Sequence, residues 1–281
     1  MICGISQGIG FAVCENLLKN YSDTVVYLAC RDVGRGQAAV QKLKENIHAS
    51  IDDRVHVICI DTSSKQSVES AAASLSGVTT LYGIVNNAGT GNGQLLQDVM
   101  KVNYWGVRYV TDAFLPLLQK EGGRIVNVGS GAGPGFIAGA KENSAASAVA
   151  PLLAEPWKIE SVQALDEIAK TYKADDEGPS SWETYGFTKA MLAAYTYLVA
   201  KANPSLVVNT VSPGFIATDL TAKLGASKPP SDGAIPIVYL LMDPDLAKKP
   251  QGRYYGSDTK RSPLAVTRDP GAPEYDGPDG P

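Results

Sequence analysis

Gly4-Ile5-Ser6-Gln7-Gly8-Ile9-Gly10 is the stretch on which the fold turns, and an amphipathic run over residues 8–19 follows it directly. Glycines at this spacing let the backbone turn tightly and approach a pyrophosphate, which then sits at a helix N-terminus where free N–H groups point outward. An ordinary glycine turn has the same composition, so the motif takes its meaning from its surroundings. Downstream, short β-branched runs alternate with longer amphipathic ones. The strand candidates are residues 24–29, 55–60, 81–85, 124–128, 206–211 and 253–255; the helix candidates are 8–19, 34–47, 65–75, 95–118 and 182–202. The strands are nearly continuously apolar, as when both faces of a parallel sheet are covered. This alternation predicts an α/β fold: one doubly wound parallel sheet whose ligand crevice lies at the carboxyl ends of the strands.

One segment breaks the rhythm. Residues 131–184 separate a strand from the next long helix, far beyond an ordinary connection. Apolar residues at helical spacing over 164–172 predict an insertion with its own helix, closing part of the site. The domain is expected to span 1–259, with 260–281, rich in Pro, Gly and Asp, as a surface or disordered tail. There is no internal repeat. The 281 residues are 44% hydrophobic, which provides a sizeable core, and carry a net charge of -4, which argues against a nucleic-acid surface. No apolar run is long enough for a membrane span. Four cysteines without C-x-x-C spacing, and two histidines, predict buried reduced thiols and no metal site. The start shows no secretory signal, so a cytoplasmic protein is expected, with organelle targeting left open should the N-terminus be incomplete.

Several strand ends carry candidate binding residues. After the second strand comes Cys30-Arg31-Asp32, at the place that faces an adenosine ribose in a dinucleotide fold. A carboxylate there bonds a 2′-hydroxyl, whereas an arginine neutralises a 2′-phosphate, so Arg31 favours NADP(H). A solvated surface arginine is the plain alternative. Asp61 can accept from an adenine amino group, or cap the helix that starts near Lys65. Asn86-Asn87-Ala88-Gly89 closes the fourth strand; small residues and amides leave room for a cofactor, and turn chemistry explains them almost as well.

Ser130, Tyr185 and Lys189 decide the chemistry. Tyrosine and lysine four apart on a helix share one face. A neighbouring ammonium favours phenolate and lowers a tyrosine pKa from about 10, which suits an acid/base for an alcohol–ketone couple. Ser130, after the strand 124–128, reaches the same sheet edge and can donate to an oxygen on which charge develops. Asn103 is polar where apolar neighbours are expected, and can hold a relay water. Singly, Tyr-x-x-x-Lys is an ordinary helix face; with the upstream motifs it is a catalytic set.

With these motifs the chain resembles the short-chain dehydrogenase/reductase family over nearly its whole length, to about Pro263. The match runs through Gly4-x-x-x-Gly8-x-Gly10, Asn86-Asn87-Ala88-Gly89, Asn103, Ser130, Tyr185-x-x-x-Lys189 and Pro213-Gly214. Within the family it is similar to the carbonyl reductases, through the run from Arg31 to Val40, through Gly123 to Val128, and through the insertion ending Gly178-Pro179-Ser180-Ser181. The resemblance implies a Rossmann-type fold and NADPH-dependent reduction of aldehydes, ketones or quinones. Tyr185 would protonate the oxygen, Lys189 bind the nicotinamide ribose and tune Tyr185, Ser130 polarise the carbonyl, and Asn103 anchor the relay water. Gly4, Ser6, Gln7, Gly8, Ile9, Gly10, Arg31, Asp61, Asn87, Ala88, Gly89, Pro213, Gly214, Ile216 and Thr218 would hold NADP(H), and Phe215 would line the substrate pocket. The partner implied is a small-molecule carbonyl compound, not a nucleic acid or a membrane. In most relatives the helices around Asn103 and Tyr185 form a dimer interface; in carbonyl reductases the insertion covers that face, so a monomer is expected.

Three departures stand out. Gln7 replaces a lysine that carbonyl reductases use as a second cation for the 2′-phosphate. The loop 90–94 is short, which puts a glutathione-type contact in doubt. Only Met1–Cys3 precede Gly4, so a truncated first strand is expected: either the sequence is incomplete there or something else fills the slot. Two other readings stay open: an oxidoreductase for a specialised hydrophobic alcohol or ketone (retinoid, steroid or pigment), and a catalytically silent nucleotide-binding protein.

Overall fold

A computed structural model describes residues 2–3, 7–47, 50–77, 80–91, 94–174 and 182–278. Eight strands form one sheet: β1 (Ile2–Cys3), β2 (Val26–Cys30), β3 (Val55–Cys59), β4 (Gly83–Asn86), β5 (Arg124–Val128), β6 (Val207–Val211), β7 (Tyr254–Tyr255) and β8 (Arg261–Ser262). Their order is β3-β2-β1-β4-β5-β6-β7-β8, parallel from β3 to β7 and antiparallel between β7 and β8. The order reverses between β1 and β4, which opens the crevice of a doubly wound sheet. The two-residue β1 is paired on both sides: Ile2 and Cys3 are in register with Leu28 and Ala29 of β2, and with Val85 and Asn86 of β4.

The helices are α1 (Gly8–Asn20), α2 (Val33–Asn46), α3 (Lys65–Leu75), α4 (Leu96–Met100), α5 (Val107–Phe114), α6 (Ala132–Ala138), α7 (Ala145–Ala154), α8 (Val162–Thr171), α9 (Trp182–Ala202) and α10 (Pro230–Met242). Successive strand residues face opposite sides. Ile84, Ile125 and Val208 therefore enter the core beneath α3, α5 and α9, while Val85, Val126 and Val207 enter the core beneath α1 and α10. All six are buried.

Three expectations change. The helix expected over 95–118 is broken by a π-helical turn at Lys101–Gly106. There Gly106 comes so close to the loop after β3 that a Cβ would stand 2.9 Å from the Thr62 carbonyl oxygen. The described residues of the insertion hold three α-helices, α6, α7 and α8, not one. The additional α6 reads as loop because of its Gly and Pro, yet close packing explains them. A Cβ on Gly133 would meet the Lys189 and Ala190 backbone at 3.1 Å, and one on Gly186 the Ala132 carbonyl oxygen at 2.8 Å. The tail begins with β8, so the sheet runs past residue 259. Polar anchoring adds to apolar burial there: Leu264 packs against the core, the Arg268 guanidinium pairs with Asp258, and its Nε donates to Ser262 Oγ at 2.9 Å.

Candidate active site

Main-chain geometry comes first. Gly8 opens α1 at φ +63°, a conformation that favours glycine, and a Cβ there would sit 3.4 Å from Thr218 Cγ2. The N-cap residue, Gln7, makes no side-chain capping bond to this helix start. Its free N–H groups and the glycine surface form a cradle suited to an anion. Gly4 and Ser6 lie outside the described residues; Gly10 is buried in the first turn. Gln7 is exposed and donates from Nε2 to the Asp219 carboxylate, spanning from the glycine turn to the segment after Pro213-Gly214. Gly214 takes φ +92°, with Ser257 Cβ 3.1 Å from where its own Cβ would be.

A cleft of about 390 Å³ gathers most of the expected residues. Gln7, Gly8, Ile9, Asn87, Gly89, Ser130, Tyr185, Lys189, Pro213, Gly214, Phe215, Ile216 and Thr218 all line it. Gly10, Arg31, Asp61, Ala88 and Asn103 do not. The half-buried Ala88 packs against the core behind the cleft.

Tyr185 and Lys189 lie on one face of α9, as their spacing requires. Burial pushes the Tyr185 pKa up to about 12, and the neighbouring Ser130 hydroxyl, which shares the cleft, offsets that only in part. The neighbouring ammonium was expected to lower that pKa; burial instead sets its direction. Lys189 Nζ stands 5.6 Å from the tyrosine ring centroid and donates to the Val128 carbonyl at 2.8 Å. Desolvation brings the Lys189 pKa down to about 8. In this geometry Tyr185 is a neutral phenol, ready to give a proton, beside a partly destabilised cation.

Asn103 is fully buried in the π-helical turn. Its Nδ2 donates to the Thr90 carbonyl at 2.8 Å and to Thr188 Oγ1 at 3.0 Å, and its Oδ1 accepts from Thr90 N–H at 2.9 Å. Thr188 Oγ1 in turn donates to the Tyr185 carbonyl at 2.8 Å. The amide clamps the loop after β4 onto the catalytic helix. A Cβ on Gly89 would lie 3.6 Å from both Asn103 Oδ1 and Lys189 Nζ, and one on Gly91 3.0 Å from Tyr185 Cδ2, so that loop runs close against the candidate catalytic side chains.

At the other end of the crevice, Arg31 is exposed just past β2. Asp32 caps α2, accepting from Arg35 N–H at 2.8 Å, so its carboxylate already has a structural partner. Asp61 accepts from Ser63 N–H at 3.0 Å and Ser63 Oγ at 2.7 Å, whereas Ser64 is the cap of α3. The capping role weighed for Asp61 therefore belongs to a residue three further on. Cys59 is exposed, contrary to the expectation of uniformly buried thiols.

Sequence reasoning missed Trp182. It lies one helical turn before Tyr185, is 63% exposed, and meets the tyrosine edge-to-face with centroids 6.5 Å apart. An aromatic residue three positions before the tyrosine on a helix was the available signal. Also missed was Ser212, whose Oγ accepts from Gly131 N–H at 3.2 Å and Gly214 N–H at 3.4 Å, tying the ends of β5 and β6 together. No cluster of metal-ligating side chains occurs among the described residues, and no described helix is long and apolar enough to cross a membrane.

A doubly wound sheet, a glycine-lined helix N-terminus at its switch point and a Ser–Tyr–Lys set in the same cleft define a dinucleotide-dependent oxidoreductase. The sequence profile of the short chain dehydrogenase family matches residues 1–154, and the chain belongs to that family. It is 28% identical to short-chain dehydrogenase/reductase 1 of Saponaria officinalis, covering 91% of this chain and 92% of that one. It is 29% identical to human carbonyl reductase [NADPH] 1, covering 90% and 94% respectively. The solved structure of salutaridine reductase from Papaver somniferum superposes with TM-score 0.76 at 26% identity, over 90% of this chain and 98% of that one.

Proposed function

We propose that this chain is an NADP(H)-dependent reductase of aldehydes, ketones or quinones, with Tyr185 as the proton donor. The observation that carries this reading is the convergence of Ser130, Tyr185 and Lys189 in one cleft with the glycine cradle at the start of α1. A bound nicotinamide supplies the hydride. Ser130 orients and polarises the carbonyl oxygen, and Tyr185 delivers its proton to that oxygen as negative charge develops. Lys189, held by the Val128 carbonyl, stabilises the phenolate left behind and can take a ribose hydroxyl. Asn103 positions Thr90 and, through Thr188, the helix carrying the tyrosine. Residues 213–218, which line the cleft, would hold the cofactor.

The choice of NADP(H) rests on Arg31 and on the prior commitment of Asp32 to α2. Exposed Arg35, in the first turn of α2, stands in for the second cation missing at Gln7. The monomer reading draws on Asp166 of α8. It accepts from Tyr104 Oη at 2.6 Å and pairs with Arg108 at 3.1 Å, seating the insertion on the α5–α9 face. In this reading the protein works in the cytoplasm on a small carbonyl compound. Purified protein should oxidise NADPH in the presence of a quinone or aldehyde panel, and Tyr185→Phe should lose the activity by orders of magnitude. Unchanged turnover would exclude Tyr185 as the donor.

A second reading, a bulky hydrophobic alcohol or ketone as substrate, is favoured by the exposed Trp182 and the 49% exposed Phe215, both in the catalytic cleft. Exposed aromatic side chains in a cleft are suited to apolar ligands.

A further inference from the structure

The two strands that end at the adenosine side of the crevice each close on a cysteine. Cys30 ends β2, Cys59 ends β3, and the parallel ladder sets them directly opposite one another. Paired residues in a sheet point to the same face, and neighbouring strands lie about 4.7–4.9 Å apart. That spacing falls within the Cα separations of about 4.4–6.8 Å that disulfides bridge. The face is the one under α2: a Cβ on Gly36 would stand 2.7 Å from Cys30 Sγ and 2.6 Å from Val57 Cγ1, two residues before Cys59. Cys59 is exposed to oxidants and Cys30 is buried beside it. The thiols also share a task. Cys59 Sγ donates to the Arg31 carbonyl at 3.6 Å, and Cys30 Sγ to the Asp32 carbonyl at 3.2 Å.

We propose that Cys30 and Cys59 are an oxidative modification site, forming a reversible disulfide with a peroxide as oxidant and thereby loosening the turn that carries Arg31. The Cys59 sulfur attacks a peroxide oxygen; the O–O bond breaks, one water leaves, and a sulfenic acid forms. The Cys30 sulfur then attacks the Cys59 sulfur; the S–S bond forms, the S–O bond breaks, and a second water leaves. Two thiols are oxidised and one peroxide is reduced. The hydrogens consumed are those donated to the Arg31 and Asp32 carbonyls, so both contacts end when the bond forms. Coupling is reciprocal, and a ligand that holds the Arg31 turn should slow the cross-link.

The effect on the turn rests on the proposed 2′-phosphate role of Arg31; the cross-link does not. The test uses the reduced full chain treated with hydrogen peroxide, with and without adenosine 2′,5′-bisphosphate, followed by alkylation and peptide mapping. The expected result is a peptide containing Cys30 joined to one containing Cys59, released by dithiothreitol and absent in Cys59→Ser. Oxidised protein should bind the bisphosphate at least about five-fold more weakly, the low end of ordinary couplings. Sulfinic acid at Cys59 with no joined peptide overturns the site, and a joined peptide with unchanged bisphosphate affinity overturns the coupling. Should the reduced protein fail to bind the bisphosphate, the Arg31 reading falls and the joined peptide alone decides the disulfide.

Discussion

Replacing Lys189 with methionine should stabilise the protein near neutral pH while removing its activity. Lys189 is only 6% exposed, and its pKa is brought from 10.5 down to about 8 by desolvation. Between those two values the unfolded chain holds a proton that the folded protein has released, so the Lys189 contribution to stability rises with pH across that window. A shift of about 2.5 units at about 1.4 kcal/mol per unit gives about 3 kcal/mol of destabilisation at pH 7, an order-of-magnitude figure. The methionine variant removes that charge and forfeits the bond to Val128 O, worth about 1.5–3 kcal/mol for a charged donor. The net gain at pH 7 is therefore small. The sharper readout is the difference in urea unfolding free energy, wild type minus variant, from pH 7 to 10.5. That difference should climb by about 3 kcal/mol. Subtraction also cancels the opposing groups: Cys14 and Tyr185, raised to about 12, bind protons longer in the folded state and erode stability as the solution turns alkaline. A flat or falling difference curve would refute the desolvated lysine.

Three further outcomes follow from the geometry. Arg31→Ala should cut the NADPH-over-NADH ratio of kcat/KM about tenfold, equivalent to about 1.4 kcal/mol of lost 2′-phosphate binding, measured by steady-state kinetics with both cofactors. Trp182→Ala should raise KM for fused-ring ketones several-fold and leave small aldehydes unaffected; equal effects on both would place the indole outside the substrate path. Asp166→Ala leaves the Arg108 guanidinium and Tyr104 hydroxyl without their shared acceptor and should cost about 2–4 kcal/mol in chemical denaturation. Light scattering on the same variant would show whether releasing α8 exposes a dimerising face.

Much of the framework was legible because it is local. β5 and the helices at 65–75 and 182–202 match their expected bounds, since β-branched runs and helical periodicity are written in consecutive residues. Tyr185, Lys189 and Ser130 were legible for the same reason: helix spacing and a strand end bring them to one edge. What escaped depends on distant partners. The π-helical turn answers to Thr62, far away in the chain, while the apolar pattern of 95–118 runs on without a break. α6 looks like loop until α9 is laid against it, and β8 is held in part by Arg268, whose partners Asp258 and Ser262 lie apart from it in sequence. The expected direction of the Tyr185 pKa failed because spacing reveals a neighbouring charge but not the burial that opposes it.

The crossing of α6 and α9 has a consequence for how the site tolerates change. Gly133 and Gly186 bring the two backbones into direct contact, and these are the segments that follow Ser130 and carry Tyr185. The separation of the proposed proton donor and the proposed carbonyl-polarising hydroxyl is thus set largely by main chain against main chain, with the Phe136 Cβ as the nearest side-chain atom. Aromatic residues around this crossing, such as Phe136, Tyr172 and Phe187, can be exchanged during evolution or engineering with little leverage on that spacing. Insertion loops can be remodelled for new substrates while the proton-transfer pair stays where the two glycines hold it.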